Sequence, residues 1–159
     1  MVSSETSKNT QNSSWQQGNL VEVEITDLSD SGDGVGRFAD RVVFVPNTVT
    51  GDRVLVRLVQ VKAKYALGKL QKLLEPSEKR IRPHCIVADK CGGCQWQHVD
   101  YDYQALAKQN QVQQALERIG GFSEPPVAPI LSVGTPLNYR NKVTYPLGRS
   151  ATGQVQAGY

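Results

Sequence analysis

The chain has 159 residues, 39% of them hydrophobic, and 18 basic against 15 acidic residues give a formal net charge of +3. That length holds one ordinary domain or two small ones, and no stretch is apolar for long enough to cross a bilayer, so no membrane partner is expected. The N-terminus lacks the basic start and apolar core of a secretory signal, and an odd count of three cysteines excludes a simple disulfide framework.

In chain order, residues 1–17 are rich in Ser, Thr, Asn and Gln and hold one basic residue, Lys8. They bury too little surface to offset ordering entropy and read as a disordered tail. Residues 19–27 alternate. Val21, Val23 and Ile25 fall on one face and Leu20, Glu22, Glu24 and Thr26 on the other, the pattern of a half-buried strand. Residues 28–38 carry Gly32, Gly34 and Gly36. A dinucleotide-binding loop would open a helix, but this one runs into a strand at 41–45, so it reads as a glycine-rich connection between strands. Pro46 and Asn47 start the next turn. Residues 53–61 form another strand, with Val54, Val56 and Leu58 opposite Leu55, Arg57 and Val59. Residues 65–74 form a further one, with Ala66, Gly68, Leu70 and Lys72 on one side. Several short strands with glycine turns imply a small barrel. Phe38 suits a stacking role or a core role, and Phe44, inside an apolar strand, is expected in the core.

Charge is concentrated rather than spread. Between Arg53 and Arg82 nine basic residues face two acidic ones, a net +7. Such a patch suits a phosphate backbone, and it also fits a solvated strand face. Barrels of this kind bind nucleic acid through a basic groove with stacking aromatics, which makes Arg37, Phe38, Arg41, Arg53, Lys62, Lys64, Tyr65 and Lys69 the candidate RNA contacts.

Residues 76–83 read as a basic linker. All three cysteines follow: five residues separate Cys85 from Cys91, and two separate Cys91 from Cys94. The short gap lets two thiolates converge, and Gly92-Gly93 permits the tight turn and leaves amides free to point at sulfur. Soft thiolates select zinc, copper(I) or iron–sulfur clusters. Close spacing of thiols outside any disulfide framework implies a reducing compartment, hence a cytoplasmic protein. Three cysteines are one short of a full set, so the fourth ligand is His84, His98 or a residue beyond Tyr159. His98 reads better as a structural histidine, and Trp96 and His98 are expected to shield the edge of the metal group. Residues 99–119 read as a helix with Asp100 as N-cap, an apolar set of Leu106, Val112, Leu116 and Ile119, and a stop at Gly120-Gly121. The helix is expected to pack over the cysteines. Four prolines make 122–137 an extended connection. Residues 138–146 read as a strand, followed by a hairpin turn at 148–153. Arg140 and Lys142 are candidate phosphate contacts there, or solvated charges on an edge strand.

Two resemblances sharpen this reading. Gly-Asp-Gly-Val-Gly-Arg at 32–37, Val-Phe-Val-Pro at 43–46 and Gly-Asp-Arg-Val at 51–54 are similar to a TRAM domain, an OB-like β-barrel that binds RNA, over residues 18–76. Cys91-Gly92-Gly93-Cys94-Gln95-Trp96-Gln97-His98, with Tyr101, Gln104 and Lys108, resembles the iron–sulfur segment of the RNA (uracil-5-)-methyltransferases of the 23S ribosomal RNA type. Tyr139-Arg140-Asn141-Lys142 resembles the start of that family's central β-region. The resemblance implies a [4Fe-4S] cluster on Cys85, Cys91, Cys94 and a fourth, downstream cysteine, with ribosomal RNA as partner. It also implies a catalytic domain after Tyr159 that holds S-adenosylmethionine only in the full-length enzyme. The expected fold is mainly β. It comprises a tail at 1–17, a five-stranded OB-like barrel at 18–76, a small cysteine-rich α+β segment at 77–122, and the cut-short start of a β-rich central domain at 123–159. Such a chain is expected to be a monomer. It is expected to be inactive alone, because no cysteine lies outside the cluster segment to serve as nucleophile. Two other readings share its motifs: a stand-alone TRAM RNA-binding protein with a zinc or cluster staple, and a metal-stapled structural domain.

Overall fold

The computed structural model describes residues 15–132 and 134–158. The expected tail at 1–17 therefore lies mostly outside the described residues. Its last three residues, Trp15 to Gln17, are described and belong to the barrel. Trp15 packs against the hydrophobic core, and its indole Nε1 donates to the Lys62 carbonyl at 3.0 Å. One large aromatic with a fixed hydrogen bond is enough to order three residues of an otherwise polar arm.

Five strands close into a barrel: β1 (Leu20–Leu28), β2 (Gly34–Phe38), β3 (Arg41–Val45), β4 (Arg53–Val61) and β5 (Tyr65–Glu75), in the order β1-β2-β3-β5-β4. All neighbours are antiparallel except β3 and β5. Closure leaves no free sheet edge. The interior is filled from the alternate positions that the sequence marks: Val21, Val23, Ile25, Val54, Val56 and Leu58, joined by Val43, Val45 and Ala66. Each fully buried Val, Leu or Ile side chain contributes about 1.5–3 kcal/mol, so this cluster is the main source of stability.

The glycine-rich stretch is more than a connection, because Gly34–Phe38 is itself strand β2. Gly34 and Gly36 face inward. A Cβ at Gly36 would run into Val23 Cγ1 and the Glu24 backbone, so the glycines let β1 approach β2 closely. β2 turns into β3 through Ala39 and Asp40, with φ of 50° and 62°, the two left-handed positions of a two-residue type I′ hairpin.

Inward phase changes along β5. Ala66 and Gly68 point in as expected, but an irregularity in register between Leu55 and Val56 turns Lys72 outward and Leu73 inward. Of the two phenylalanines, only Phe44 departs from its expected place. Phe38 packs against the core, whereas Phe44 lies between the buried Val43 and Val45 and so faces outward.

The basic linker is not a linker for its whole length. Residues 77–81 and 98–100 go with the barrel as one compact unit, and residues 82–97 and 101–158 form a second. The return is fixed by backbone pairing: Arg80 bridges Val99, Ile81 N–H donates to the His98 carbonyl at 3.0 Å, and Asp100 N–H donates to the Lys79 carbonyl at 2.8 Å. Val99 is fully buried and lies in this pairing rather than in the helix. Helix α1 (Tyr101–Arg118) therefore starts directly after Asp100. It ends at Gly120-Gly121, where the Gly120 amide reaches the Ala115 carbonyl and Gly121 takes a φ of 71°.

In the second unit α1 buries only Ala107, and Leu106 and Val112 are exposed. Residues 138–146 do not form the expected strand. The strands there are β6 (Leu147–Arg149) and β7 (Val155–Ala157), a two-stranded hairpin with every strand residue exposed. Tyr139, Val143 and Tyr145 are exposed, so among the described residues no sheet face covers the alternation of 138–146. Among the described residues no helix is long and apolar enough to cross a membrane.

Candidate nucleic-acid interface and cysteine segment

The outward residues of β2, β3 and β5 are placed by register. Arg37 sits opposite Val42, and Val42 is beside Tyr65, which makes one cross-strand row. Val35, Phe44 and Leu67 make the next. The Phe44 and Tyr65 rings meet edge to face at 6.1 Å and 77°. Tyr65 is 39% and Leu67 38% exposed, so an apolar, aromatic strip lies open on the outside of the barrel. Arg37, Lys64 and Lys69 are exposed around it, and Lys69 is beside Arg57 on β4.

Other candidates are placed differently. Lys62 is exposed on the β4–β5 turn, closed by Lys62 N–H to the Tyr65 carbonyl at 2.8 Å. Arg41 is half-buried, its guanidinium 5.1 Å from the Trp15 ring centroid. Arg53 pairs with Glu75 at 2.9 Å and faces Glu24 across β1, so local acids offset its charge. Arg140 and Lys142 lie exposed in the second unit, where Arg140 stands 5.7 Å from the Tyr139 ring. The outward Phe44 is the aromatic that sequence reasoning missed. The inward phase of its neighbours Val43 and Val45 was the available signal, but an all-apolar strand hides it.

Arg80, counted above in the basic patch, is committed to the barrel. Its Nε and Nη2 donate to the two oxygens of fully buried Asp52 at 3.1 and 2.5 Å, and Nη2 also donates to the Asn47 carbonyl at 2.9 Å. Asp52 further accepts the Val49 amide at 2.7 Å and the Ser77 amide at 2.9 Å. Burial alone would push its carboxyl up, but the Arg80 hydrogen bond, both amides and the Arg80 charge together hold it below the ordinary value. His98, expected to shield a metal group, belongs to this cluster instead. It is buried in the barrel unit with Nε2 3.4 Å from the Thr48 carbonyl, the structural role that the sequence favoured over ligation. Burial, then the Arg80 charge, hold its imidazole below the ordinary value, against Thr48 and Asp52.

The three cysteines are free thiols. Cys85 and Cys94 are exposed and Cys91 is half-buried. The Gly93 amide points at Cys91 Sγ at 3.4 Å, as the paired glycines imply. Among the described residues no three His, Cys, Asp or Glu side chains are gathered as a metal site. The donor set fits a thiophilic group by its chemistry, with three soft sulfurs and an amide directed at one of them. α1 does border the cysteine segment: Gln104 Nε2 donates to the Trp96 carbonyl at 3.0 Å, and Lys108 Nζ lies 5.9 Å from the Trp96 ring.

The TRAM domain family model matches residues 14–71, a stretch that holds most of the closed five-stranded barrel. Over most of its length the chain is similar to proteins named as uncharacterized RNA methyltransferases. One from Nostoc sp. is 72% identical over 92% of this chain and 32% of its own length. One from Synechocystis sp. is 63% identical over 91% of this chain and 31% of its own. Among solved structures, a Pyrococcus abyssi tRNA (uracil-54, C5)-methyltransferase in complex with S-adenosyl-L-homocysteine is 33% identical. That match covers 64% of this chain and 21% of that one, with a TM-score of 0.44. The chain spans about a third of the length of the curated relatives it matches.

Proposed function

We propose that this chain is the RNA-binding front of an S-adenosylmethionine-dependent RNA (uracil-5-)-methyltransferase acting on ribosomal RNA. In this reading the barrel binds RNA, Cys85, Cys91 and Cys94 supply three ligands to a [4Fe-4S] cluster, and methyl transfer belongs to the rest of a longer, cytoplasmic protein. The observation that carries the RNA reading is the outward strip of exposed Tyr65 and Leu67 with half-buried Phe44, bordered by Arg37, Lys64 and Lys69. Bases stack on the aromatics irrespective of sequence, and the cations follow the phosphates. The names of the similar proteins support methyl transfer to RNA as the reaction class. The cluster is structural in this reading: the three thiolates hold the segment before α1 in one shape.

The test is Tyr65→Ser, which removes the stacking surface from an exposed position and leaves every charge in place. Single-stranded RNA affinity measured by fluorescence anisotropy should fall roughly tenfold, within the ~1–3 kcal/mol that one base–aromatic stack contributes. Unchanged affinity in a folded Tyr65→Ser protein contradicts the reading.

A further inference from the structure

The N-terminal arm carries a feature that the barrel strip does not explain. Trp15 is held at one end of the barrel by its Nε1 hydrogen bond to the Lys62 carbonyl, and Gly18 continues the arm along β4 through its amide to the Leu58 carbonyl at 2.7 Å. Arg41 lies over the Trp15 ring. Val42 N–H donates to the Lys64 carbonyl at 3.3 Å, which ties the start of β3, and so Arg41, to the turn that bears Lys62, Lys64 and Tyr65. Residues from three separate stretches thus meet at one end of the barrel. Trp15 and Arg41 are both half-buried, so part of each side chain still meets solvent.

We infer that Trp15 and Arg41 form a separate stacking site for one unpaired nucleobase, with Lys62 and Lys64 taking the adjoining phosphates. The inference rests on the RNA reading above and adds to it the ligand, a base of a single strand, and a site beyond Phe44 and Tyr65. A guanidinium already lying over an indole is a preformed stacking surface, and the indole hydrogen bond fixes the ring before RNA arrives. A duplex keeps its bases stacked on each other and has none to offer. A lysine at position 41 would keep the charge and lose the planar group.

The experiment uses the whole chain in a Trp96→Phe background, so that Trp15 is the sole tryptophan. Oligouridylate should quench Trp15 emission, whereas an abasic strand of equal length should bind with little quenching. Arg41→Lys should weaken oligouridylate binding roughly fivefold, within the range for one stacked base, with the salt dependence unchanged. Equal affinity in Arg41→Lys, or equal quenching by the abasic strand, overturns the site. Should Arg41→Lys fail to fold, the comparison of uridylate with abasic strand still decides, since it needs no change at position 41. Loss of the stacking site with Tyr65→Ser still weakening binding leaves the RNA reading standing. Indifference to Tyr65→Ser removes the reading itself.

Discussion

Arg80 closes both of its bonding faces on the two carboxylate oxygens of Asp52, 28 residues earlier in the chain, and Asp52 is fully buried. This pair fastens residues 77–81 to the turn before β4. The backbone pairing of 79–81 with 98–100 then fixes both ends of the cysteine segment at the barrel. A buried ion pair is costly to break from one side, because the survivor keeps its charge without compensation. Asp52→Asn should therefore lower unfolding free energy by about 3–5 kcal/mol. Denaturant unfolding of Asp52→Asn, Arg80→Met and the double variant checks this, and the double variant should lose less than the two singles together. Additive losses would show that the pair does not act as a unit.

The same carboxyl sets an acid limit. Its pKa is below the ordinary 3.8 in the folded chain, so its contribution is complete above that value and is lost as pH falls through the lower, folded value. His98 acts at higher pH. Its folded pKa lies below the ordinary 6.5, so the unfolded chain takes up a proton first, and stability falls as pH drops below 6.5 until the folded imidazole also protonates. Thermal midpoints measured on either side of 6.5 should show this slope in the native chain and a flatter one in His98→Gln. An identical slope in both would remove His98 as its source.

Gly36→Ala should destabilise the barrel by about 1–3 kcal/mol, because the new methyl group meets Val23 and the Glu24 backbone where β1 and β2 approach. Gly148→Ala, with nothing within 4 Å of the added carbon, serves as the control and should change little. The comparison is read from the two thermal midpoints.

For the cysteine segment, anaerobically purified chain should contain iron and sulfide with a broad visible absorption shoulder, and Cys91→Ser should lose both. The barrel should melt at nearly the same temperature with or without the cluster, since the ends of the segment are fixed by Asp52, Arg80 and backbone pairing rather than by sulfur. Stoichiometric zinc without iron, or full iron content in Cys91→Ser, would contradict the assignment.

Much of the barrel was legible in the sequence because period-two alternation survives wherever one face is wet. Strands β1, β3, β4 and most of β5 stand where Val21 to Ile25, residues 41–45, Val54 to Leu58 and Ala66 to Gly68 indicate. Three features were hidden, each for its own reason. Strand β2 was masked by glycines whose purpose is close approach to β1. Phe44 was masked by apolar residues on both faces of β3, which erase the alternation. Arg80 counted as one more surface cation, because its partner Asp52 is near in space and distant in sequence. Of the candidate contacts, Arg37, Lys64, Tyr65 and Lys69 are brought around one strip, and Phe38 and Arg53 are drawn elsewhere by the core and by Glu75.

The most direct measurement is the RNA affinity of the whole chain as a function of salt, for the native protein and for Lys62→Ala, Lys64→Ala and Lys69→Ala combined. Binding to single-stranded RNA should weaken steeply with salt. The triple variant should bind less tightly, with a log–log slope shallower by about 2, since each phosphate left unneutralised takes ~0.7 from the slope. Equal affinity and equal slope in the folded triple variant would show that these lysines only solvate the barrel, and the account of an RNA-binding front would be contradicted.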